Sequence, residues 1–181
     1  MRRPIPLVEL ETMVEHLFYE LQMLEMSASL LGIGLFGKDP VKHSLLESFA
    51  THSRSLVYFL YPPEKIRNDD VLASHYIKDG IIWESVRPKK PTSLEIVHWR
   101  VGKEIAHLTY ERNKFTEESR AWGFIEIAKD ILKVFDVLLV NKKEINYGRF
   151  LDEYQTATSF PISINLNGNR TEIIIPRLTR N

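Results

Sequence analysis

The sequence contains no cysteine. That excludes disulfide bonds and thiolate metal sites, and it suits a reducing compartment. It also lacks an excess of charge: 24 Lys and Arg residues face 24 Asp and Glu residues, for a formal net charge of +0 at pH 7. A chain that coats nucleic acid is usually basic, so any RNA contact has to come from a local site. No apolar run approaches the roughly 18 residues of a membrane-spanning helix. The opening stretch "MRRPIPLVELET" carries arginines without an apolar segment before its acidic residues, unlike a signal peptide. A cytoplasmic chain with no membrane contact is the expectation. There is no P-loop, no Rossmann glycine fingerprint, no HExxH zinc pattern and no DNA-specific motif. No cofactor and no metal are expected.

What is present is a core. The apolar fraction is 44% over 181 residues, enough for one domain that buries roughly two thirds of its unfolded surface. Four segments show helical periodicity. Between about 8 and 31, Leu17, Leu21, Leu24, Ala28 and Leu31 recur at spacings of four and three, which makes one buried stripe. Gly32, Gly34 and Gly37 stop it. Asp39 as N-cap and Pro40 at the first helical position start a second helix. Its apolar face is Leu45, Leu46, Phe49, Leu56, Val57 and Leu60, and Pro62 and Pro63 end it.

Residues 62–92 are irregular, with room for short helical or extended pieces. Thr92 and Glu95 form a capping box for a third helix running to about Arg112. A fourth is expected after Thr116, with Glu117 and Glu118 in its first turn and Trp122, Ile125, Leu132, Phe135 and Leu139 as its stripe. It ends near Asn141. Residues 144–157 read as a short connecting helix. The stretch "ISINLNGNRTEIIIP" alternates apolar and polar residues about an Asn167–Gly168 turn, which signals a hairpin. The expected pairing sets Ile162, Ile164 and Leu166 against Ile175, Ile173 and Thr171. A lone hairpin is marginal, so it should lie on the bundle or on a partner. The fold class is mainly α: an antiparallel four-helix bundle over 1–143, with 144–181 a connecting segment and β-hairpin appendage of the same domain.

The third helix carries the chemistry. With Arg100 at zero, Glu104 falls near 40°, His107 near −20° and Glu111 near 20°, at about 100° per residue. This polar stripe is flanked by Leu94, Val97, Val101, Ile105 and Leu108 on one side and Trp99, Ala106 and Tyr110 on the other. Two readings stay open. In the first, Arg100–Glu104 and Lys103–His107 are ordinary pairs four apart on a helix surface. In the second, Arg100 stabilises charge on a phosphoryl group and His107 transfers a proton, with Glu104 orienting one of them. RNA supplies its own nucleophile in the 2′-hydroxyl, so such a site needs no metal.

Arg100 and His107, within "WRVGKEIAH", fit the arginine-x(4–6)-histidine motif, and over residues 10–140 the chain resembles HEPN domains. The resemblance implies a helical bundle, a homodimer with the motif at its interface, and metal-independent endoribonuclease activity on RNA in a defence or toxin–antitoxin setting. Arg100 would hold the scissile phosphate and His107 would move the proton. Val101 departs from the polar residue that often follows the arginine in active members. That departure, the zero net charge and the hairpin support the alternative: a non-catalytic helical interaction module that homodimerises or binds a protein partner.

Other constellations are weaker. Glu104-x-x-His107 and Glu95-x-x-His98 have di-iron spacing, but one helix cannot supply both halves of that cage. His52 and Arg54 interrupt the second helix, either as an edge pair facing solvent or as part of a polar pocket with His107. "RPKKP" at 87–91 is a solvated turn or a contact for RNA phosphates. Trp83, Trp99 and Tyr76 could stack bases or sit in the core.

Overall fold

The computed structural model describes residues 5–34, 40–116, 121–166 and 169–179. Along the chain run α1 (Leu7–Gly32), α2 (Pro40–Leu60), α3 (Trp83–Val86), α4 (Thr92–Glu95), α5 (Val97–Arg100), α6 (Phe124–Val140) and α7 (Gly148–Thr156). Strands β1 (Ser159–Leu166) and β2 (Asn169–Pro176) follow. Short 3₁₀ turns occupy Ala73–Tyr76 and Tyr110–Lys114, and a π-helical turn spans Val101–Ala106. The molecule is mainly helical, with one antiparallel hairpin. No helix among the described residues is long and apolar enough to cross a membrane.

The core follows from the apolar stripes. Leu17, Leu21, Leu24, Ala28 and Leu31 of α1 are all buried, as are Phe49, Leu56, Val57 and Leu60 of α2. Ile127, Ile131, Leu132, Phe135 and Leu138 of α6 complete the packing against both. An aromatic trio ties α7 to this layer, with Tyr154 centred 5.5 Å from Phe18 and 5.4 Å from Phe135. Tyr76 and Trp83, from the irregular region, are core residues: Tyr76 donates to the Leu10 carbonyl at 3.1 Å and Trp83 to the Leu60 carbonyl at 2.8 Å. Buried aromatic polar atoms need such partners, and these two bonds pin residues 73–86 onto α1 and α2.

Two expectations are corrected. The single third helix over 92–112 is instead α4, α5 and a π turn, with a break at Ile96 and an extended backbone at His107 (φ −119, ψ 139). Poor helix formers interrupt the segment: Ile96, Val97, Val101 and Ile105 are β-branched, and Gly102 lies among them. Its end is closed by side chains, with Thr109 donating to the Lys103 carbonyl at 3.2 Å and Arg112 to the Ile105 carbonyl at 2.8 Å. The fourth helix is described from Phe124, and Ala121 and Trp122 lie outside it, bonded to the Arg100 cluster described below. The frame is thus three long helices and a broken fourth segment. Gly37, Asp39, Glu117, Glu118, Asn167 and Gly168 lie outside the described residues.

The hairpin forms with a register two residues from the expected one. Phe160 faces Ile175, Ile162 faces Ile173 and Leu166 faces Asn169. A two-residue connection after Leu166 fixes that pairing, and a shift of two keeps the same side chains on the same face. That face packs on the bundle: Phe160 and Ile175 are buried with Leu30 of α1, while Ile174 opposite is exposed. Arg177, just past β2, forms an ion pair with Glu25, which is 0% exposed in α1, and donates to the Tyr154 carbonyl at 2.8 Å. The hairpin therefore docks within its own chain.

Candidate functional site

Arg100 leaves α5 pointing into the protein and is only 7% exposed. Its Nε donates to Glu104 Oε1 at 2.5 Å and its Nη2 to Glu104 Oε2 at 2.9 Å, a bidentate fork. Its Nη1 donates to the Ala121 carbonyl at 2.9 Å, and the guanidinium stacks 4.2 Å from the Trp122 ring centre. Trp122 closes the ring of contacts by donating Nε1–H to Glu104 Oε2 at 3.0 Å. The π turn places Glu104 for this fork. Widening one turn is a common local device where a helix has to re-aim side chains.

His107 does not join this cluster. It follows the last residue of the π turn, its backbone N–H reaches the Gly102 carbonyl at 3.2 Å, and its side chain is exposed. Arg100 is buried and His107 is at the surface, so within one chain the two do not share a helix face. Glu111, the fourth member of the expected stripe, pairs with Lys114 at 2.7 Å. A cavity of about 340 Å³ opens beside Glu104, walled by His43, Glu47, Arg112, Phe115 and Trp122. Among the described residues no three His, Asp or Glu side chains gather as a metal site.

The residues of α2 separate. His52 is mostly buried and bonds Glu20 of α1 through Nδ1 at 2.9 Å, a contact away from the Arg100 cluster. Arg54 turns the other way, into a cavity of about 680 Å³ that also receives Arg87, Lys89, Lys90 and His98. The basic turn "RPKKP" is thus one wall of a concave site. Tyr61 organises it: its hydroxyl donates to the Pro88 carbonyl at 3.1 Å, and Arg87 lies over its ring at 4.8 Å. Arg87 also donates to the C-terminal end of α2 at the Leu60 carbonyl, 3.0 Å away. Desolvation at the wall lowers the pKa of His98, and Arg54 and Lys90 add to the effect. Lys90 is lowered as well, first by burial and then by Arg87, against an opposing pull from Glu95.

Sequence reasoning found the basic turn but not its partners. A signal existed, since Arg54 and Tyr58 are four apart and so share a face of α2, and Tyr61 follows three residues on at its end. Comparison with family models, with curated proteins and with solved structures finds no match to this chain.

Proposed function

We propose that this chain is a HEPN-like helical interaction module that pairs with a second copy of itself and does not cleave RNA. The observation that carries this reading is the commitment of Arg100. A guanidinium that stabilises a transition state must be free to face the ligand. This one is spent on a carboxylate, a carbonyl and an indole inside its own chain. Its role here is to fasten residues 121–122 against α5 and the π turn.

The segment just beyond supports association. Leu108 is 92% and Tyr110 91% exposed, beside a half-exposed Trp99. The family resemblance sets two copies together at this segment, where such side chains would be covered. An RNA-acting enzyme centred on His107 is the competing proposal, and its exposed ring is the observation in its favour.

One assay separates them. Mixed-sequence RNA is incubated in EDTA with the wild-type protein and with His107→Ala, and sedimentation reports the oligomeric state. The module reading expects a dimer that Leu108→Asp dissociates, and intact RNA with both proteins. Metal-free cleavage lost in His107→Ala would reinstate the ribonuclease.

A further inference from the structure

The cavity beside the end of α2 has no part in the Arg100 cluster. From its geometry we infer that it binds a small ligand carrying two or more phosphate groups.

The cations come from separate parts of the chain. Arg54 comes from α2, Arg87, Lys89 and Lys90 from the turn after α3, and His98 from α5. Folding therefore brings Arg54 and His98 up to the basic run at 87–90, against mutual repulsion. Several basic side chains elsewhere in the protein do have carboxylate partners: Arg100 with Glu104, Arg177 with Glu25, Lys143 with Asp79. None of the four Lys and Arg residues here forms an ion pair with a carboxylate among the described residues. Among the described residues that line the cavity Glu84 is the one acidic side chain, while Glu95 acts on Lys90 and Asp130 on Tyr61 from beside it. The site holds an excess of positive charge in a chain whose formal charge is +0.

Charge and shape select the ligand. A single phosphate ester carries about −1.5 to −2 at neutral pH, so beside four Lys and Arg residues and Glu84 one phosphate still leaves a positive remainder, which a second offsets. Arginine forks match phosphate oxygens in pairs, and lysine adds mobile point charge. A volume of about 680 Å³ lies in the range of small-molecule sites, roughly 300–1,000 Å³. The apolar wall of Val57, Pro62 and Pro88 can cover an organic group next to the phosphates. A long polyanion would instead require cations laid out along a track, whereas these converge on one cavity. The site is also held in shape before binding, because the Tyr61–Pro88 and Arg87–Leu60 bonds fix the turn on α2. Preorganisation of this kind lowers the ordering cost of binding.

Calorimetry on the full chain tests the inference, with inorganic diphosphate, ADP and sulfate as probes at matched ionic strength. Diphosphate or ADP is expected to bind with unit stoichiometry, about tenfold or more tighter than sulfate. Tighter binding of ADP assigns the apolar wall to an organic diphosphate ester, and equal binding assigns the site to the diphosphate itself. Arg54→Gln and Lys89→Gln should each weaken binding by about tenfold. Lys89 is exposed, so its variant keeps the fold and reports on charge alone. Sulfate binding as tight as diphosphate, or affinity unmoved in both variants, would overturn the inference. So would single-stranded RNA that binds without competition from diphosphate, which would make this face a nucleic-acid surface. The inference is independent of the dimer and of RNA cleavage, since neither result moves a diphosphate isotherm.

Discussion

Arg100 and Arg54 sit in adjacent parts of one small fold, and they are treated in opposite ways. Arg100 is surrounded by acceptors from its own chain: a bidentate carboxylate, a carbonyl and an aromatic face. Arg54 shares a cavity with three more cations and a histidine. A buried charge that is fully paired has little left to offer a ligand, and removing its partner is expensive. Unpaired charges at a concave surface keep their interaction energy for something that arrives later. An arginine's place in a motif therefore says less about its role than the acceptors around it.

The sharpest way to break the comparison is to truncate both arginines. Arg100→Ala leaves the Glu104 carboxylate, itself mostly buried, without its counter-charge. A loss of about 3–5 kcal/mol is expected in urea denaturation. Arg54→Ala removes no internal acceptor's partner, so its stability should stay within about 0.5 kcal/mol of wild type. Similar losses from both would mean that the cavity cations are structural too. Loss of about 1 kcal/mol or less from Arg100→Ala would mean that its fork is screened like a surface pair.

A second buried pair sharpens the same point. Arg177 joins Glu25, fully buried in α1, and its guanidinium also lies over the Tyr154 and Phe160 rings. Arg177→Ala should cost about 3 kcal/mol. The effect should be regional, since the hairpin adds only a small satellite cluster to the core. Hydrogen exchange is the readout: amides of β1 and β2 should lose protection while those of α1, α2 and α6 keep theirs. Uniform loss of protection would show that the hairpin is part of the main cooperative unit.

These contrasts explain what the sequence could reveal. The stripes of α1 and α2 were legible because apolar spacing encodes burial directly. The hairpin was legible from alternation, while its register depended on the length of its turn. The segment from Thr92 to Arg112 misled for a definite reason. Periodicity assigns Arg100, Glu104 and His107 to one face only if the helix is regular, and it cannot register that Glu104 prefers a bidentate fork reached through a π turn. The start of α6 was misplaced for the same cause, because the Ala121 carbonyl accepts from Arg100 and the Trp122 indole donates to Glu104, which ties both residues to the cluster ahead of the helix. The cavity was only half legible. "RPKKP" was visible as a charge run, but the arrival of Arg54 and His98 from other elements is tertiary information.

The smallest expected effect is the most specific to the unpaired cluster. His98 lines the cavity together with Arg54 and Tyr58 of α2, Arg87, Lys89 and Lys90 of the turn and Glu84 of α3. Glu95 lies near Lys90 on its own side. Its pKa lies below the usual 6.5, through desolvation first and then through Arg54 and Lys90. The sign of the linkage follows. Below 6.5 the unfolded chain binds the proton more readily than the folded one, so this histidine lowers stability as pH falls from 6.5 through its folded pKa and has no effect above that window. Proton NMR of the His98 ring gives the titration directly. Arg54→Ala should move the midpoint up toward 6.5 by removing one repelling charge. Saturating diphosphate should move it up further, because an anion in the cavity favours the imidazolium. Phosphate oxygens also take up protons near pH 6, so the His98 share is read against a His98→Gln variant, over which the wild type should gain diphosphate affinity as pH falls through the His98 midpoint. If the midpoint ignores both Arg54→Ala and diphosphate, the cations around His98 do not act as one cluster, and the contrast with Arg100 loses its electrostatic basis.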